Sequence, residues 1–385
     1  MDELLLRRAF DLARQGIGLA SPNPYVGAVI VDAQGNIAGT GTYTYDGIKH
    51  AEVRALEHAG GKAKGGTLYI NLEPCSHHGR TPPCADAVIA AGIRRVVASM
   101  ADPNPAVHGR GFDKLRGAGI EVEVGMMEDT ARVLNEAFGR YIRHHIPLVT
   151  LKAAMTLDGK IAPPPPEEQH RAQGVPAGGW ITSEAARAHV QQLRHQHDAL
   201  LVGVGTILAD DPLLTDRSGL PRRRPLLRVI LDSRLRFPLE SRLVASSAAA
   251  ENTPRDVLIF CSSGEEGKIK QLEQRGIRVE RLAASLPDGR PDFPAILRRL
   301  GELGIASVMI EGGATVNGAA LAASVVDKVF LYYAPKILAS MGSIPFAAGP
   351  GFRRMSEAAH VKSLQLHRFG EDFAVEGYLR DPYVD

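Results

Sequence analysis

The chain has 385 residues, 44% of them apolar and 23% charged, with a formal net charge of +2. That length exceeds what one ordinary hydrophobic core organises, so two domains are expected. The near-neutral balance argues against a nucleic-acid partner, no apolar run approaches the roughly 20 residues that span a bilayer, and three cysteines make no disulfide framework.

The opening "MDELLLRRAFDLARQG" reads as an amphipathic helix. Its acids come first and no small-residue cleavage site follows, which is unlike a secretory signal, and a cytoplasmic address is the expectation. "YVGAVIVD" and "NIAGTGTY" are two apolar runs joined around Ala33–Asn36, the pattern of a hairpin. "HAEVRALEHAG" has helical spacing, "GTLYINLEPC" is a strand running into a loop, and "CADAVIAAGI" is a helix beginning at the second cysteine. "RRVVASM" and "IEVEVG" are strands, and residues 128–144 form one helix with Glu128 and Asp129 at its start. Alternating strands and helices predict a layered α/β domain over residues 1–146, which carries sixteen basic and sixteen acidic side chains. A second α/β domain covers residues 147–385. Its strands are "PLVTLKAAM", "DALLVGV", "LLRVILD", "DVLIFCS", "SVMIEGG", "VVDKVFLYYAPKIL" and two alternating runs around a Gly-Glu-Asp turn near the C-terminus. Residues 162–179, rich in proline and glycine, are expected to form a loop or to be disordered.

The first domain holds a candidate metal site. His50, Cys75 and Cys84 make an imidazole and two-thiolate set, one of the usual ligand sets of zinc. Three protein ligands leave an open position for water, whose pKa then falls toward neutral. Cys84 starts a helix, where the dipole favours a thiolate. Glu52, two residues after His50, is placed to take a proton from that water and pass it to a leaving amine. H-x-E followed by P-C-x-x-C is the zinc deaminase pattern; here eight residues separate the cysteines instead of two. A structural zinc closed by His77 or His78 is the rival, and it leaves Glu52 without a role. In the second domain "GVGTIL" lacks the third glycine of a dinucleotide fingerprint. "SVMIEGGATVNGAAL" offers another device, a strand, a glycine turn and a helix start whose free amides at Gly313, Ala314 and Thr315 can hold a pyrophosphate.

"SPNPYVGAVIV", "HAE", "LEPCSHHGRTPPC" and "DPNPAVHGRGF" together resemble the deaminase half of the bifunctional riboflavin-biosynthesis deaminase–reductases. "LKAAMTLDGKIA", "WIT", "VGVGTILADDPLLTDR", "LDSRLRFP" and "EGGATVNG" resemble the reductase half, so the resemblance covers nearly the whole chain. It implies a cytidine-deaminase-like three-layer N-terminal domain and a dihydrofolate-reductase-like C-terminal domain that uses NADPH. It also implies a phosphorylated diaminopyrimidinone substrate, deaminated with zinc and then reduced from ribosyl to ribityl. Asn23 suits a pyrimidine edge and Arg80 a phosphate, with Asp102 and Asn104 as neighbours by motif. In the family pattern Ala154, Trp180, Thr206, Asp210 and Ser233 fall at cofactor positions, joined by the stretch from Gly313. Arg194, Leu214, Arg217 and Glu311 fall at substrate positions. Ser233 with Arg234 suits a ribose 2′-phosphate, Arg194 and Arg217 offer forks for the 5-phosphate, and Lys152 and Glu311 are candidates to position or polarise the reacting carbon. Two departures stand out: Tyr43 where the family usually has histidine, and Gly178, with a longer proline-rich run, where a polar residue is usual. Family habit and apolar edges such as "KVFLYYAPKIL" imply a homodimer or larger assembly, and Cys261 reads as core.

Two other classes compete. A nucleic-acid deaminase with an appended domain predicts binding of single-stranded RNA at low salt. A non-enzymatic zinc module that senses NADPH predicts four protein ligands on the metal and no turnover.

Overall fold

The computed structural model describes residues 1–164, 179–248, 256–284 and 289–384. The chain divides into two compact units, Met1–His145 with Pro221–Arg224, and Ile146–Leu220 with Pro225–Val384. Most of the proline-rich run, including Gly178, lies outside the described residues.

The first unit runs α1 (Asp2–Arg14), β1 (Gly27–Val31), β2 (Ile37–Thr42), α2 (Ala51–Ala59), β3 (Thr67–Ile70), α3 (Cys84–Ala90) and β4 (Arg95–Ala98). It continues with α4 (Arg110–Gly117), β5 (Glu121–Val124), α5 (Glu128–Leu134) and α6 (Glu136–His144). The strands form one sheet in the order β2-β1-β3-β4-β5, antiparallel through β3 and parallel beyond it. Side chains alternate across a pleated strand, and here each face takes its own helix. Leu5, Leu6, Ala9 and Leu12 of α1 pack against Val29, Val31, Tyr69 and Val97. On the opposite face Gly39 and Gly41 pair with Ile30 and Ala28. There α2 comes so close that a Cβ on Gly41 would lie 2.0 Å from the Ala51 carbonyl oxygen, and one on Gly39 would lie 2.1 Å from that of Ala55. Helix, sheet and helix make three layers, and the two glycines let the helix that carries the first site rest directly on the sheet.

The single helix predicted over 128–144 is two. Asn135 breaks it, at φ −108° and ψ 18°, because its buried amide is used elsewhere. The side-chain oxygen accepts from the Tyr25 amide at 2.8 Å, and Nδ2 donates to the Tyr25 carbonyl at 3.2 Å. Such local competition by an Asn amide is a known reason for a helix to end. The same Tyr25 carbonyl accepts from Asn71, whose oxygen in turn accepts from Gly27. Two buried amides thus fix the "PNPYVG" loop.

The second unit runs β6 (Leu148–Thr156), β7 (Lys160–Ala162), α7 (Glu184–Gln196), β8 (Ala199–Gly203), α8 (Val204–Asp210), β9 (Leu227–Leu231) and α9 (Arg242–Ala248). There follow β10 (Val257–Cys261), α10 (Glu266–Gln274), β11 (Arg278–Arg281), α11 (Phe293–Glu302), β12 (Ser307–Ile310) and α12 (Ala314–Ala322). β13 (Lys328–Ala334), β14 (Ile344–Pro345), β15 (Lys362–Phe369) and β16 (Asp372–Tyr378) complete it. Nine strands form one sheet, β11-β10-β9-β8-β12-β6-β13-β16-β15. The first seven are parallel and the last two turn antiparallel. A parallel sheet is buried on both faces, and β8 shows it: Leu200 and Val202 join one core, Ala199 and Leu201 the other. Cys261 is buried in the first of these cores, as expected from the sequence. The small β7–β14 pair stands apart. Ligands of open parallel sheets gather at the carboxyl ends of strands near a change in strand order. The chain makes such a change here, where β12 lies between β8 and β6.

Candidate active sites

His50 is the N-cap residue of α2 and keeps an extended backbone, so its ring is free of the helix while Glu52 sits in the first turn. Cys75 lies in the loop after β3, and Cys84 is the first residue of α3. Their ligand atoms all lie within 4.8 Å of one another. His50 Nδ1 is 3.2 Å from Cys84 Sγ and 3.6 Å from Cys75 Sγ. Among the described residues this is the one group of histidine, cysteine and carboxylate donors close enough to share an ion; His77 and His78 are exposed and stay outside it. The fourth protein ligand of the structural-zinc alternative is therefore not supplied by that loop.

The electrostatics depart from the sequence reading in one respect. The free amide at the start of α3 does not serve Cys84's own sulfur; it donates to Cys75 Sγ at 3.3 Å. The Cys84 thiol, then His50 and more weakly this amide, hold the Cys75 thiol down at about 4 against its burial. Cys84, bonded to Cys75 and buried, is pushed up. Glu52 is 3% exposed and is raised by burial to about 7. An imidazole and two thiols whose ligand atoms converge fit zinc, and a buried carboxylate two residues from the imidazole fits proton transfer.

Around this cluster the Tyr43 ring meets the His50 ring edge-on, centroids 5.3 Å apart. Its hydroxyl accepts from Asn23 Nδ2 at 2.6 Å. One of the two Asn23 N–H groups is thus engaged with Tyr43, leaving the other and the amide oxygen. Arg80 is exposed and stacks on the Tyr45 ring. Asp102 is buried, which raises it to about 7, and Asn104 makes a local turn with it. Sequence reasoning missed Glu73. This buried carboxylate accepts from the amides of Asp102, Gly109, Gly111 and Phe112 at 3.0, 2.8, 2.7 and 3.4 Å and pins the loop behind Cys75. A glutamate inside the apolar "NLEPC" run was the available signal, since a buried charge must find donors.

In the second unit Glu311, just past β12, gathers two of the predicted partners. Arg194 grips it in a fork, Nε to Oε1 at 2.8 Å and Nη2 to Oε2 at 3.0 Å, and Lys152 Nζ lies 3.5 Å from Oε2. Burial alone would raise Glu311; the Lys152 and Arg194 charges outweigh it and hold the carboxyl at about 2. Arg194 thus forks onto Glu311, and its Nη1 donates to the Thr215 carbonyl at 2.8 Å. Arg217 is exposed. Leu214 turns its side chain into the core from a left-handed backbone, φ 54°, an uncommon state for leucine. Ala154 lies on β6, Thr206 and Asp210 lie on α8, and Ser233 follows β9. Trp180 is 60% exposed, with Arg187 over its ring at 4.6 Å. Gly313 caps α12 with no side-chain hydrogen bond, and nothing lies within 4 Å of where its Cβ would be. The open amides of Gly313, Ala314 and Thr315 fit the pyrophosphate of a dinucleotide.

A His–Cys–Cys donor set with a buried glutamate on a three-layer α/β unit defines a cytidine-deaminase-like zinc enzyme, here carried with a second α/β unit. Residues 1–100 match a family profile described as the cytidine and deoxycytidylate deaminase zinc-binding region, and residues 147–375 match the RibD C-terminal domain. The riboflavin biosynthesis protein RibD of Actinobacillus pleuropneumoniae is 39% identical over 98% of this chain and 95% of its own. A crystal form of Acinetobacter baumannii RibD matches with a TM-score of 0.81 at 34% identity, covering 98% of both chains. A Thermotoga maritima structure, a diaminohydroxyphosphoribosylaminopyrimidine deaminase/5-amino-6-(5-phosphoribosylamino)uracil reductase, matches at 0.80 with 36% identity and 98% of both. The chain belongs to the RibD family of riboflavin biosynthesis proteins. It is a bifunctional enzyme, a zinc deaminase and a reductase, with the cytidine-deaminase-like and dihydrofolate-reductase-like folds expected from its motifs.

Proposed function

We propose that residues 1–146 deaminate 2,5-diamino-6-(5-phosphoribosylamino)pyrimidin-4-one and that residues 147–385 reduce the resulting 5-amino-6-(5-phosphoribosylamino)uracil to its ribityl form. The observation that carries the first step is the three-donor cluster with Glu52 buried against Cys84. His50, Cys75 and Cys84 would hold zinc, which as a Lewis acid acidifies water and so supplies the nucleophile at neutral pH. Glu52 takes a proton from the attacking water and delivers it to the amine as the C–N bond breaks and ammonia leaves. Asn23 and Arg80 face the pyrimidine and the phosphate.

For the second step the amides of Gly313, Ala314 and Thr315, with Ala154, Trp180, Thr206, Asp210 and Ser233, would bind NADPH. Bound there, NADPH would supply the hydride for the C1 carbon of the opened ribosyl imine, whose nitrogen would take a proton. Glu311 stays ionised and holds Lys152 and Arg194 in place, and Lys152 is the group we assign to position or polarise the reacting carbon. Arg217 and the Leu214 backbone contact substrate. Among the described residues no helix is long and apolar enough to cross a membrane; a cytoplasmic location is part of the proposal. A homodimer or larger assembly is expected, and light scattering on the eluting protein measures it.

The test is one tube of purified protein, the diaminopyrimidinone ribotide and NADPH, with ammonia and NADPH oxidation followed together. Ammonia first, then one NADPH consumed per ammonia, is the expected result. A chelator should stop ammonia release yet spare NADPH oxidation on supplied aminouracil ribotide. If zinc-loaded protein releases no ammonia, the substrate assignment is wrong.

A further inference from the structure

Two guanidinium groups share one ring in the first unit. Arg80 Cζ lies 4.5 Å from the centre of the Tyr45 ring and Arg223 Cζ lies 4.1 Å from it. Arg223 belongs to Pro221–Arg224, the short segment that packs as part of this unit. Neutral groups fasten it: its amide donates to the Gly18 carbonyl at 2.9 Å and Nη2 to the Ser21 carbonyl at 2.8 Å. Arg80 likewise donates Nη1 to the Tyr45 carbonyl at 3.1 Å. Among the described residues neither arginine is ion-paired with a carboxylate, although surface arginines elsewhere in the chain commonly are. Holding two like charges against one ring is unfavourable without a counter-ion, and ring quadrupoles offset only part of the repulsion.

The pair sits on Tyr45, two residues along the chain from Tyr43, whose ring meets the His50 ring edge-on. Asn23 completes the row through its bond to Tyr43. Planar guanidinium forks match the oxygens of a phosphate monoester, and two of them around one anion are the usual strong arrangement.

We propose that Arg223, together with Arg80, clamps the 5-phosphate of the deaminase substrate, so that a segment distant in sequence supplies a specificity residue to the first site. This rests on the deaminase reading above. Arg223 is placed on the phosphate and takes no part in bond making or breaking.

The test uses the full-length, zinc-loaded protein. Arg223→Gln keeps a planar group and an N–H donor for the Ser21 carbonyl but removes the charge; Arg223→Lys keeps the charge and loses the fork. Ammonia release is measured on the ribotide and on the same compound lacking its phosphate. For Arg223→Gln we expect KM for the ribotide to rise about tenfold with kcat changed less than about twofold, and no change on the dephosphorylated compound. Arg223→Lys should recover part of the loss, and NADPH oxidation on supplied aminouracil ribotide should be unaffected in both. Equal effects on the two compounds, or wild-type kinetics in Arg223→Gln, would make Arg223 a structural brace and overturn the proposal. A second readout needs no turnover: ³¹P line broadening of inorganic phosphate titrated with protein, expected with wild type and weakened in Arg223→Gln. If wild type releases no ammonia, the substrate reading fails alone. The titration still decides the clamp, since equal broadening by both proteins refutes it.

Discussion

Gly41→Ala tests whether the contact between α2 and the sheet positions the zinc site. The new Cβ would lie 2.0 Å from the Ala51 carbonyl oxygen, 2.8 Å from the Ala55 amide nitrogen and 3.0 Å from the Ala51 carbonyl carbon. All three are backbone atoms of one helix, so no side chain can rotate away. Ordinary contact begins near 3.5 Å, and the start of α2 must lift by roughly 1 Å or more. Overpacking of this kind costs about 1–3 kcal/mol, enough to lower the melting temperature of a unit this size by on the order of 5 °C. The larger effect is on chemistry. His50 caps that helix and Glu52 occupies its first turn, and a misplacement of about 1 Å at catalytic groups costs roughly 10²-fold in rate. We expect ammonia release to fall about 10²-fold while NADPH oxidation on supplied aminouracil ribotide is unchanged. Gly61→Ala, with open space at its Cβ, serves as the control. Wild-type ammonia release, zinc content and melting temperature in Gly41→Ala would refute the idea that this glycine sets the helix seat.

Glu52→Gln should keep zinc at one per chain by metal analysis and lose at least about 10²-fold in ammonia release, since the amide cannot accept the proton. Glu311→Gln removes the counter-charge of Lys152 and Arg194 and should cost about 3–5 kcal/mol in urea unfolding of the second unit. Glu311 also sets an acid dependence. Its carboxyl is held at about 2, below the ordinary 4.5, so its contribution is fully present above 4.5 and is lost as pH falls toward 2. That contribution is on the order of 3 kcal/mol; stability measured across this window should be flatter in the variant, and equal slopes would contradict the assignment. Glu73→Gln presents an NH₂ to amides that need an acceptor and should cost about 2–4 kcal/mol. Hydrogen exchange at Gly109 and Gly111 should accelerate, and unchanged protection there would show that the loop stands without Glu73.

What the sequence by itself determined are features that depend on neighbours along the chain. Alternation and 3.6-residue spacing placed the hairpin, the helix after His50 and the strands of both units, because burial on one face is written locally. The clustered donors were legible for a related reason: His50 caps one helix and Cys84 opens another, so spacing put candidate ligands at ordered ends. Tertiary structure decided where long-range partners compete for the same groups. Asn135 breaks the helix predicted over 128–144 because Tyr25, 110 positions away, takes its amide. The α3 amide goes to Cys75 because the loop brings that sulfur in front of it. Arg194 pairs with Glu311 across 117 positions, a partner that neither residue's own neighbourhood records. Arg223 reaches Tyr45 only because four residues of a distant segment pack with the first unit. A charged or polar side chain does not record its partner in its own neighbourhood; the chain fold selects it, because a buried polar group must take whichever partner comes within reach.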